Sequence, residues 1–119
     1  MDIIEEAKSL FHGPERYNCA QAVLKAFQGK YNVTPEMVIL NSRFGGGMAE
    51  QGMCGALYAA ESLIADTERR AMLRERFRAA AGAIECRNIR RLRKVSCREC
   101  VAIAAELLME IDMPCGVDL

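Results

Sequence analysis

Two cysteines stand one helical turn apart in Cys97-Arg98-Glu99-Cys100, directly after Ser96. Ser96 has the chemistry of an N-cap, and Glu99, three residues on, completes a capping box with it, so the pair is expected in the first turn of a helix. The residues that follow carry helical spacing. Cys97, Val101, Ala104, Leu108 and Ile111 form one apolar stripe with Cys100 beside it, so Cys97 is expected on the inward face. Exposed N–H groups and the positive helix end favour a thiolate, so one of the two thiols should titrate below the free value of about 8.5. This is the chemistry of a redox pair, with Cys97 and Cys100 as attacking and resolving thiols, or of half a metal site.

Other cysteines share that local setting. Cys19 follows Asn18, a potential N-cap whose box partner is Gln21, although a helix beginning at Pro14 would place both inside it. Cys54 falls in the opening turn of an Ala-rich segment. Helix ends meeting at one point would gather three or four sulfurs, the usual number for zinc or an iron–sulfur cluster. From position alone Cys86 and Cys115 read as small apolar residues, one on the flank of a long helix and one in the tail beyond Pro114. Three familiar motifs do not fit. A c-type haem needs CxxCH, and Val101 stands where the His should be. A thioredoxin motif follows a strand, and none precedes Ser96; a zinc ribbon needs two CxxC pairs, and there is one. The lone His12 lies at the end of the first helix, where interaction with the helix dipole accounts for it without a ligand role.

The elements that must hold these thiols are all helical. Ile3, Ala7 and Leu10 predict a helix from Asp2 to Phe11, stopped by Gly13-Pro14. Ala20, Val23, Leu24 and Phe27 give the buried face of a second. Thr34-Pro35 opens a third in the order cap, then N1 proline. Gly45, Gly46 and Gly47 cannot sit inside a stable helix and form a glycine-rich loop, whose backbone N–H groups are a candidate cradle for a phosphate-bearing cofactor, though GxxxxGK[ST] is absent. After Asp66-Thr67, the spacing of Leu73, Phe77, Ala80 and Ile84 predicts one long helix carried through Gly82 to Cys86, with Met72 on its flank. The expectation is a single all-α domain over residues 1–119, a compact bundle of five or six helices with a glycine-rich loop.

Composition narrows the function classes. The net charge is zero and apolar residues make up 51% of the 119, which excludes a disordered chain and a dedicated basic nucleic-acid binder. Residues 61–100 do carry eleven Lys or Arg against six Asp or Glu, but on long helices such charge reads first as a solvated face, and nucleic acid is not an expected partner. No apolar run reaches the roughly 20 residues of a membrane span. Residues 1–6 lack signal-peptide character, which points to a reducing cytoplasm. Six cysteines in that compartment read as metal-binding or redox residues, not as structural disulfides. A chain this small, with methionines available for packing, is also a candidate homodimer.

The order of landmarks resembles the redox-active protein family C_GCAxxG_C_C. The matching segments are Tyr17 to Leu24 around Cys19, Phe44 to Gly47, Cys54-Gly55-Ala56, Cys86, and Cys97 ahead of an Ala-rich helix. The resemblance makes Cys19, Cys54, Cys86 and Cys97 the family's defining cysteines, and so brings Cys86 into the candidate site. Two functions follow as expectations. In one, the protein is a thiol–disulfide or electron carrier, with a redox partner protein or small thiol. In the other, it is a non-catalytic domain binding zinc or an iron–sulfur cluster through Cys19, Cys54, Cys86 and Cys97. Anion or nucleic-acid binding by the Arg-rich helices is a third.

Overall fold

A computed structural model of the chain describes residues 2–44 and 49–112. Gly45, Gly46, Gly47 and Cys115 lie outside the described residues. The fold is all-α and compact, as the patterning requires, but it counts seven α-helices among the described residues, not five or six. They are α1 (Ile3–Leu10), α2 (Cys19–Ala26), α3 (Pro35–Leu40), α4 (Gly55–Leu63), α5 (Thr67–Ala81), α6 (Cys86–Leu92) and α7 (Cys97–Asp112). Short 3-10 turns cover Asn41–Phe44 and Glu50–Gly52.

The extra helix comes from a break at Gly82. Its φ of 94° is left-handed, and its N–H closes α5 on the Arg78 carbonyl at 2.8 Å. Glycine here is the helix stop, not a tolerated interior residue. The chain therefore turns at residues 82–85 and restarts as α6 at Cys86. The inward face of α5 is correspondingly Leu73, Phe77 and Ala81, while Ala80 and Met72 face solvent.

Local signals decide the other helix starts. The Asn18 side chain accepts from the Gln21 N–H at 2.8 Å and Gln21 Oε1 accepts from the Asn18 N–H at 3.0 Å. The box therefore opens α2 at Cys19 and excludes the Pro14 start. The same two residues pin α2 to its surroundings. Asn18 Nδ2 donates to the Asn41 and Ser42 carbonyls at 3.0 and 2.9 Å, and Gln21 Nε2 donates to the Val38 carbonyl at 2.9 Å. Gln21 is buried, so these bonds remove a desolvation penalty of about 1–3 kcal/mol. Thr34 caps α3 with Pro35 at its first position, and Ser96 with Glu99 boxes the start of α7 at 2.7 and 3.1 Å.

At the centre, α2 lies against α1, α3, α4 and α7, and α7 also against α1, α4 and α5. Alanine makes this crowding possible. Ala20, Ala22, Ala56, Ala59, Ala60, Ala104 and Ala105 are all fully buried, so the helix backbones approach closely. Leu24, Leu57, Leu73 and Leu108 supply the bulk, each contributing about 2 kcal/mol by burial. At the far end, Asp112 accepts from Tyr31 Oη at 2.6 Å and from Arg69 Nη1 at 3.0 Å, tying the last turn of α7 to α5 and to the turn after α2.

Candidate functional site

The cysteines occupy equivalent places on four different helices. Cys19 is the first residue of α2, Cys54 the N-cap of α4, Cys86 the first residue of α6 and Cys97 the first of α7. Cys100 follows one turn later. All five line one cavity of about 680 Å³. The sequence places Cys54 and Cys97 at helix openings and leaves the α2 start between Asn18 and Pro14, which the structure settles at Asn18; the break at Gly82 converts Cys86 from a flank residue into a helix start.

Two backbone contacts hold the α4 and α6 starts together. Met53 and Glu85 form an isolated antiparallel bridge, and the Cys54 N–H donates to the Ile84 carbonyl at 2.8 Å. Gly55 allows α4 to close on α2, because a Cβ there would fall 2.6 Å from Cys19 Sγ and 2.6 Å from the Phe44 carbonyl oxygen.

Burial divides the thiols, and it reverses the sequence expectation for the CxxC pair. Cys100 is the inward residue, 2% exposed, whereas Cys97 is only half-buried at the cavity wall. The stripe through Val101, Ala104, Leu108 and Ile111 is completed by Cys100 and Ala105. The cause is the set of neighbours: α7 packs against α1, α2, α4 and α5, and its buried face runs through Cys100, Val101, Ala104, Ala105, Leu108 and Ile111.

Cys54 sits between two other sulfurs. Its hydrogen bond with Cys100 pushes its thiol up to about 12, against a lowering from a hydrogen bond with Cys19 and with a further rise from burial. Burial likewise raises Cys86, opposed by the charge of Arg90. A helix start favours a thiolate by about 0.3–1 kcal/mol, less than one pKa unit. At Cys54 and Cys86 that effect loses to burial and sulfur neighbours, so both are held as thiols. Cys97 has a different neighbour. The Arg90 guanidinium is held above its usual value first by its hydrogen bond with Cys97, then by the nearby Cys86 and Cys97 sulfurs.

Arg90 was not singled out by its sequence context, where it is one of five cations in 87–94. Its signal is that it lies four residues after Cys86, one turn along the same helix face. His12 has a left-handed φ of 54°, and its ring stacks on Phe11 at 4.0 Å at the cavity mouth. Arg98 holds the same corner, donating to the Phe11 carbonyl at 3.3 Å.

Among the described residues no group of three or more His, Cys, Asp or Glu side chains is placed to hold a metal ion. No helix among the described residues is long and apolar enough to cross a membrane.

A helical bundle that gathers five thiols at one cavity, four of them buried and one half-open beside a guanidinium, defines a helical thiol protein. The model of the family described as "Putative redox-active protein (C_GCAxxG_C_C)" matches residues 17–111, and the chain belongs to that family. No curated protein and no solved structure matches the chain.

Proposed function

We propose that the protein is a cytoplasmic thiol–disulfide carrier, a single domain over residues 1–119, in which Cys97 attacks and Cys100 resolves. One observation carries the reading. Cys97 is half-buried beside Arg90, while Cys100 is buried against Cys54 one turn along the same helix. Residues at i and i+3 on a helix have Cβ atoms about 5–6 Å apart, about 1–2 Å beyond the roughly 3.5–4.5 Å a disulfide needs, so closing the bond requires the first turn of α7 to tighten.

In the forward direction, the Cys97 thiolate attacks one sulfur of a substrate disulfide. The substrate S–S bond breaks, its leaving thiolate takes a proton from solvent, and a mixed disulfide forms on Cys97. Cys100, its proton passed to solvent, attacks Cys97 Sγ and expels the second substrate thiolate, which is protonated in turn. The substrate gains two electrons and becomes two thiols, while the protein loses two and closes a Cys97–Cys100 disulfide. A dithiol reductant, small or protein-borne, returns the pair to its reduced form. Cys54, held as a thiol beside Cys100, supplies a hydrogen-bond donor to the sulfur that must carry charge during resolution. Cys19 and Cys86 are buried in the surrounding wall of the cavity.

The test is an anaerobic redox titration in a thiol–disulfide buffer, read by mass and by peptide mapping. The expected result is a two-proton mass loss with a Cys97–Cys100 link, and a stable mixed disulfide on Cys97 in the Cys100→Ser variant. An oxidised product that leaves Cys97 free, or a Cys97→Ser variant that oxidises as the parent does, would overturn it.

A further inference from the structure

The cavity over Cys97 carries a charge asymmetry that thiol exchange by itself does not need. Its wall holds three cations, Arg90, Arg93 and Lys94, against one carboxylate, Glu99. That carboxylate is occupied, since Glu99 Oε1 accepts from the Ser96 N–H at 2.7 Å. Arg90 is engaged by Cys97. Arg93 differs from the paired arginines of the neighbouring helix. Arg69, Arg74 and Arg78 each meet a carboxylate, whereas the Arg93 side chain has no hydrogen bond or ion pair among the described residues. A left-handed turn at the end of α6, φ 54°, places Arg93 on the rim. Lys94 Nζ donates to the Ala79 carbonyl at 3.3 Å and keeps two further donors for another acceptor. The cavity lining also includes the apolar side chains of Phe11, Ile89 and Val95.

We propose that this cavity selects anionic, carboxylate-bearing low-molecular-weight disulfides, held at Arg93 and Lys94 with their S–S bond turned to Cys97. The inference rests on the thiol–disulfide reading and names the substrate class of that site. A volume of about 680 Å³ falls in the range of about 300–1,000 Å³ that small-molecule sites occupy. A recessed, half-buried thiol suits a small disulfide that enters whole. Cations that focus a field into a low-dielectric recess raise the encounter rate of anions and lower that of cations.

The experiment uses the reduced full chain and three disulfides of similar size: dithiodiglycolate (anionic), 2-hydroxyethyl disulfide (neutral) and cystamine (cationic). The rate of mixed-disulfide formation on Cys97 is divided, for each, by its rate with free N-acetylcysteinamide, which cancels differences in the leaving thiols. The expected normalised order is anion, then neutral, then cation, with steps of about threefold or more at low ionic strength. These steps should shrink in about 0.5 M salt, where the Debye length is only a few Å. An Arg93→Gln, Lys94→Gln double variant, checked for native helix content, should shrink the anion-to-neutral ratio by a similar factor. Equal normalised rates, a cation preference, or a ratio untouched by both salt and the double variant would overturn the substrate class while leaving the thiol chemistry in place. Failure of all three disulfides to modify Cys97, with free thiol reacting normally, would instead remove the underlying thiol–disulfide reading.

Discussion

Gly55 stands directly against Cys19: a Cβ on the glycine would lie 2.6 Å from the Cys19 sulfur, and as close to the Phe44 carbonyl oxygen. The sulfur could swing aside, but the carbonyl belongs to backbone and moves only with the chain around it. Gly55→Ala would gain up to about 1 kcal/mol from helix propensity and reduced unfolded-state entropy. It would lose about 1–3 kcal/mol to overpacking, so the net effect expected in urea unfolding is destabilisation. Alkylation of Cys19 under native conditions should speed up in the same variant, because the α2–α4 contact that covers it opens.

Gly82 offers a test of opposite sign. Inside one continuous helix, Gly82→Ala would stabilise by about 1 kcal/mol. At a left-handed φ of 94°, with a Cβ position 2.8 Å from Leu92 Cδ1, it should destabilise by about 1–2 kcal/mol. The sign of the change in unfolding midpoint distinguishes a helix stop from a helix interior.

Arg90 should govern the reactivity of Cys97. A guanidinium beside a sulfur favours attack by that sulfur. Arg90→Met is expected to slow iodoacetamide alkylation of Cys97 at neutral pH by about three- to tenfold. Arg76→Met, an exposed change on α5, should leave that rate alone.

Raised thiols make the fold alkali-sensitive. Cys54 titrates in the unfolded chain near its ordinary 9.0 but is held up to about 12 when folded. Between those values the unfolded state has lost its proton and the folded state has kept it, so stability is full below pH 9 and falls as pH rises toward 12. Cys86, raised by burial, and Tyr31, raised by burial and then by Asp112, act in the same direction. Urea unfolding under reductant should show a decline of about 1 kcal/mol per pH unit above pH 9. Cys54→Ala should make that decline shallower, leaving the share that Cys86 and Tyr31 contribute.

Much of the fold is written locally. Ser96 pairs with Glu99, and Thr34 caps a helix whose first residue is Pro35, so the starts of α7 and α3 could be read without knowing the rest of the chain; the Asn18–Gln21 pair offered the α2 start beside a rival start at Pro14. Cys97 at the α7 start could be read with it. Gly82 could not be placed the same way, because glycine fits both a tight helix interior and a left-handed stop, and the 4-3-4 spacing of Leu73, Phe77, Ala80 and Ile84 runs across it. Periodicity counts apolar residues and does not see the turn that ends hydrogen bonding.

The sequence by itself determined the helical class and placed Cys54 and Cys97 in the opening turns of helices, because capping and periodicity act over three or four residues. Only the tertiary structure decided that Cys100, not Cys97, faces inward, since that depends on which neighbours α7 packs against. It also brought Cys54 between Cys19 and Cys100, joining residues far apart in the chain, and turned α6 so that Arg90 meets Cys97 at the start of the next helix. Those contacts form when Ala-rich helix faces close on one another, and no local signal encodes which faces will meet.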